Sequence, residues 1–127
     1  MAVHFAGRPC DLTALRTLAD SYGLKIIDDA AHAFPATHAG RNIGNCLADA
    51  TAFSFYANKT MTTGEGGMLV TRDPTIAARA RTMRLHGIDR DVFNRFTEAS
   101  ASWLYDVVAP GYKYNMTDIA AAMGRVQ

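Results

Sequence analysis

The chain predicts an α/β fold, a three-layer arrangement around a mostly parallel sheet. Three observations lead there. Residues 2–29 read as strand, helix and strand in succession, the spacing of a βαβ unit. Two further β-prone runs follow at 50–57 and 66–71. Helical patterns with recognisable caps then occupy 73–87 and 117–127.

Each element has a local reason. "AVHFAG" (2–7) alternates and predicts a short strand. Asp11 is a natural N-cap for the helix that follows, with Leu12, Leu15 and Leu18 on one face and Gly23 at its end. "LKIIDDA" (24–30) is an apolar strand closing in two carboxylates, expected to lie parallel to 2–7. "HAGRNIGNCLAD" (38–49) is rich in glycine and asparagine and predicts a loop. "ATAFSFYA" (50–57) is β-branched and aromatic, and "GGMLVT" (66–71) is a further strand. Asp73 and Pro74 open a helix that closes at Gly87. Residues 88–112 show little period and predict a surface excursion. Thr117 or Asp118 caps a last helix, still running at residue 127. That, with a first strand beginning at residue 2, reads as the middle of something larger.

Composition narrows the function. The 127 residues are 49% apolar and 20% charged, ordinary globular usage and enough for one core. A net charge of +1, with no aromatic residues interleaved in a basic stripe, argues against nucleic acid or an anionic membrane as partner. No basic start leads into a long apolar stretch, so no signal peptide is expected. No apolar run is long enough to span a bilayer. Cys10 and Cys46 lack CxxC spacing and a histidine at zinc-ligand spacing; two reduced thiols in a cytoplasmic protein, with no metal, is the expectation.

The chemistry-bearing residues cluster after strands. Asp28 and Asp29 point to opposite faces if the strand reaches them. Ligands of open α/β sheets sit off the carboxyl ends of strands, so one aspartate can face a site. Taken alone, the plainer reading of Asp29 is a cap on the turn "AAHA". A ribose contact is disfavoured because no GxGxxG precedes it. His32 lies three residues beyond Asp29, on the same side of a helical turn. In "AFSFYANK", Phe53 and Phe55 share one face and Ser54 and Tyr56 the other. Lys59 follows the strand end and "TTGEGG" turns the chain back. A partly desolvated lysine has a lowered pKa and is a nucleophilic amine, the requirement for bonding an aldehyde. A solvated loop lysine is the plainer reading, weakened by the nearby carboxylate, which suits a pyridine nitrogen.

"IIDDAAHAF", "GRNIGN", "DATAFSFYANKTMTTGEGGMLVTRD" and "GYKYNMTDIAAAMGRVQ" together resemble the pyridoxal-phosphate sugar aminotransferases, the DegT/StrS family, nearest the branch of the UDP-4-amino-4-deoxy-L-arabinose transaminases. The resemblance implies the central part, residues 1–127, of the large domain of a fold-type-I pyridoxal-phosphate enzyme, with an upstream phosphate turn and a downstream small domain lying outside it. It implies Lys59 as the Schiff-base lysine, Asp29 as the partner of the pyridine nitrogen, His32 at the ring's phenolic oxygen and Ser54 at the phosphate. Either Lys113 or Asn115 would reach the phosphate of a neighbouring subunit in a homodimer. Family dehydratases carry histidine at the lysine position, so Lys59 implies amino transfer, from an amino acid such as glutamate to a nucleotide-linked keto-sugar. The alternative is a truncated segment that folds or dimerises without catalysis. The aromatic and apolar run from Trp103 to Met116 is the expected dimer surface.

Overall fold

The computed structural model describes residues 1–89 and 105–127. They form two compact units, Met1–Asp73 with Met116–Gln127, and Pro74–Asn115.

The first unit holds a four-stranded sheet in the order β1 (Ala2–Val3), β2 (Ile27–Asp29), β5 (Ala50–Ser54), β6 (Gly67–Thr71). The first three are parallel, with Val3 opposite Asp29 and Asp29 opposite Ala52; β6 runs antiparallel to β5. The sheet is thus mostly parallel, and 2–7 and 24–30 contain parallel neighbours as expected.

The strands are shorter than their sequence patterns. Phe5–Gly7 is a 3-10 turn, with Ala6 (φ 51°) and Gly7 (φ 81°) in the left-handed region. Alternation in so short a stretch cannot distinguish a strand from a turn. Leu24 and Lys25 precede β2, and the Leu24 N–H closes the preceding helix on Ala19 O at 2.8 Å. Overlapping the start of the expected loop 38–49, β3 (Thr37–His38) and β4 (Arg41–Asn42) make a small hairpin, its turn at Ala39-Gly40 having both φ positive.

Helix α1 (Leu12–Ser21) starts where Asp11 Oδ1 accepts the Ala14 N–H at 3.0 Å. Its inward stripe is Leu12, Leu15 and Ala19, while Leu18 is 55% exposed. Leu12 packs with Ala30, Ala33, Ile43 and Cys46, so the core sits against the segment that follows β2. Asp49 ties the layer together: its Oδ2 accepts from Ile26 N–H (2.8 Å) and Arg16 Nη1 (3.0 Å), its Oδ1 from Lys25 Nζ (3.3 Å). The Ile26 N–H, then Arg16 and Lys25, hold Asp49 below the ordinary carboxylate range against the opposing effect of burial. Both cysteines are free thiols. In the same unit α3 (Asp118–Arg125) is capped by Thr117, whose Oγ1 accepts the Ala120 N–H. Gln127 then bonds Thr62.

The second unit contains α2 (Pro74–Met83) and a backbone ladder between residues 83–89 and 106–114.

Candidate active site

β2 and β5 are parallel neighbours, so their carboxyl ends open on the same edge of the sheet. Beyond that edge lies a pocket of about 180 Å³, lined by Ala31, His32, Phe34, Ser54, Asn58, Lys59 and Thr60. The chain brings together here what is 27 residues apart in sequence, because the β2 and β5 segments end side by side.

Ser54 is the last residue of β5, half-buried, and its Oγ accepts the Tyr56 N–H at 3.3 Å. Phe53 and Phe55 face the other way, into a separate apolar hollow with Ile43, Met61, Met68 and Val70. The chain then turns at Lys59, whose N–H donates to Tyr56 O (3.0 Å). "TTGEGG" is fastened back on the strand end, with Phe55 N–H donating to Gly66 O (2.8 Å) and Thr63 N–H to Phe55 O (2.9 Å). Glycine is needed at 66, where a Cβ would collide with Thr63 Oγ1. This knot fixes the root of Lys59, which is half-buried.

Asp29 ends β2, partly exposed, and its Oδ1 accepts the Ala31 N–H at 3.0 Å. It therefore does shape the turn as a cap, and this turn delivers Ala31 and His32 to the pocket. The His32 ring meets Phe5 edge-on, with centroids 6.0 Å apart. A Cβ at Gly7 would press on His32 O, so the Phe5–Gly7 turn lies against the same segment. Asp29 itself is not among the lining residues.

Lys113 and Asn115 belong to the second unit, where Lys113 Nζ donates to Asn115 Oδ1. Sequence reasoning left out Asn58 and Thr60, which flank Lys59 and add an amide and a hydroxyl to the pocket. Their position beside the lysine in a turn was the available signal. It also left out His4, buried against Asp28, although a histidine ending an apolar strand opposite two aspartates marks a polar contact.

The pocket offers an amine, an amide, hydroxyls and an imidazole, and Asp29 caps the turn that supplies two of its lining residues. Comparison with known proteins fits that donor set. Residues 1–127 match the DegT/DnrJ/EryC1/StrS aminotransferase family, and the chain belongs to it. It is 48% identical over 122 residues to the spore coat polysaccharide biosynthesis protein SpsC of Bacillus subtilis, covering 96% of this chain and 31% of that protein. Among solved structures it is similar to the putative sugar aminotransferase Spr1654 of Streptococcus pneumoniae in its PMP form (33% identity, TM-score 0.80, 98% of this chain and 36% of that one). It is also similar to DesI, solved with its TDP-sugar product (39% identity, TM-score 0.76, 97% of this chain and 28% of that one). The chain thus spans about a third of the length of these relatives, and its fold is that of their sheet-bearing part.

Proposed function

We propose that this chain carries the cofactor-holding part of a pyridoxal-phosphate-dependent aminotransferase, moving an amino group from an amino acid, glutamate by family resemblance, to a nucleotide-linked keto-sugar. The observation that carries the reading is Lys59 sharing one pocket with Ser54 and His32 at the carboxyl ends of β2 and β5. Membership of an aminotransferase family, and relatives named for sugar amination and a TDP-sugar product, support it.

The residues present suit the group. Lys59 Nζ is the one amine among the described lining residues, so it is the atom that would bond the cofactor's aldehyde carbon. Ser54, with Asn58 and Thr60 as further donors, would hold the phosphate. His32 would donate to the phenolic oxygen, and Asp29 would keep the ring nitrogen protonated. The cofactor, when bound, supplies an electron sink for the carbon that loses a proton. Lys59 Nζ, anchored by the Phe55–Gly66 knot, would take that proton and return it at the adjoining carbon.

Two further assignments belong to the same reading. One is residence in the cytoplasm; no helix among the described residues is long and apolar enough to cross a membrane. The other is a homodimer in which Lys113 or Asn115 reaches the partner's phosphate. Tyr105, Val107, Val108, Tyr112 and Tyr114 are at least half exposed and supply an apolar surface for it. Trp103 and Leu104 of the expected surface lie outside the described residues.

The test is covalent. The chain is incubated with pyridoxal phosphate, reduced with borohydride, digested and mapped. Label at Lys59 is expected; label on Lys25 or Lys113 alone would overturn the assignment. Label at Lys59 without turnover of any amino donor would favour the alternative of a segment that folds without catalysis, which the partial coverage of its relatives keeps in view.

A further inference from the structure

The proposed chemistry leaves one buried titratable pair unused, on the face of β2 opposite Asp29. His4 and Asp28 are both fully buried, with His4 Nε2 3.2 Å from Asp28 Oδ2. The Cys10 N–H donates to His4 Nδ1 at 3.1 Å. Nδ1 is therefore an acceptor, and the ring proton of neutral His4 sits on Nε2, the nitrogen nearer the carboxylate. Through its main chain the same residue donates from N–H to Asp29 O at 3.0 Å. His4 thus meets both aspartates, Asp28 by a packed ring contact and Asp29 by a backbone hydrogen bond.

Stability does not account for this pair. The 3.2 Å contact lacks hydrogen-bond geometry, so His4 Nε2 and both Asp28 oxygens are buried without a hydrogen-bond partner. Replacing a buried pair of this kind by apolar residues is commonly neutral or stabilising. What the pair does is hold β1 against the end of β2, where the strand hands over to the turn made by Asp29 Oδ1 and Ala31 N–H.

We propose that His4 and Asp28 are positioning residues, a buried latch that fixes the end of β2 and so aims Asp29 at the cofactor ring. The proposal rests on reading Asp29 as the partner of the ring nitrogen. Three variants test it: the double His4→Leu/Asp28→Leu, Asp28→Asn (which keeps an acceptor for Nε2–H), and Asp29→Asn. The readouts are amide exchange in the unloaded chain and pyridoxal phosphate affinity by absorbance titration. In the double variant the unfolding midpoint is expected to hold or rise, while the amides of residue 4 and Ala31 exchange about tenfold faster or more. Cofactor affinity should fall by about the same factor. Asp28→Asn should stay within about twofold of the parent in both readouts.

Parent-like exchange at both amides in the double variant overturns the latch. So does Asp28→Asn behaving like the double, since then charge rather than position matters. Should the double variant not fold, Asp28→Asn alone can still overturn the proposal by the same twofold limit. Unchanged affinity in Asp29→Asn would instead sink the ring-nitrogen reading, while exchange at residue 4 and Ala31 still reports on the latch.

Discussion

The two compact units are closed by different means. In the first, side chains close the core: Leu12, Ala30, Ala33, Ile43 and Cys46 pack together. In the second, the described residues that are buried are Gly87 and Ala109, and α2 has none. There the backbone does the closing. His86 N–H donates to Tyr112 O (2.9 Å), Tyr112 N–H to Met83 O (2.7 Å) and Tyr114 N–H to Arg84 O (2.8 Å). The two segments approach so closely that a Cβ on Gly87 or Gly111 would overlap the facing backbone. A unit closed by backbone has its aromatic side chains left over. Tyr112 and Tyr114 stack on each other, centroids 4.9 Å apart and nearly parallel, with both rings exposed. Both units expose large apolar residues, Phe5, Leu18 and Leu24 in the first and Val107, Tyr112 and Tyr114 in the second, but among the described residues the packed apolar cluster lies in the first.

That contrast can be broken at four points. Leu12→Ala should have the largest effect, destabilising the first unit by about 2–5 kcal/mol, because a fully buried side chain leaves a cavity among small neighbours. Denaturant unfolding checks it, and a loss under 1 kcal/mol would show that the core collapses around the gap. Next, Gly87→Ala meets both a φ of +72° and the Ala109 carbonyl. The left-handed backbone alone costs about 1–2 kcal/mol. Amide exchange should quicken at Val108, Tyr112 and Tyr114 but not at Ala30 or Ala33. Equal acceleration in both sets would mean that the two units do not open separately.

Tyr112→Ala should cost about 0.5–1.5 kcal/mol through the lost stack. Its sharper readout is association: light scattering across a concentration series should show weaker self-association for Tyr112→Ala and Tyr114→Ala than for the parent. A strict monomer in the parent would remove the displayed patch as a dimer surface. The smallest effect belongs to Asp49. Its folded pKa is depressed, so its contribution is complete above the ordinary carboxylate range and is lost as pH falls through the folded value. Asp49→Asn should therefore be less stable than the parent near neutrality, by about 0–1 kcal/mol. The two should converge in acid, below about pH 4. Curves that stay parallel down to acid would show that the Ile26 N–H is satisfied without the charge.

The amino-acid order by itself determined the parallel βαβ unit, the cap at Asp11, and the split of Phe53 and Phe55 from Ser54, and it narrowed the last cap to Thr117 or Asp118, of which the structure uses Thr117. These depend on neighbours within a turn or on strand alternation, and such contacts are local. It also marked Lys59, because the amine stands in a short motif beside the glycine-rich turn. Tertiary structure decided the rest. "AVHFAG" does not stay extended: it turns at Ala6 and Gly7, with Gly7 so near the His32 segment, 25 residues on, that a Cβ there would crowd His32 O, and no local pattern records this. Ala19, not Leu18, is buried, a choice that the apolar spacing of the helix alone does not make. The two adjacent aspartates are alike in sequence. Only the sheet separates them, since pleating sends Asp28 into the interior against His4 and leaves Asp29 at the open edge.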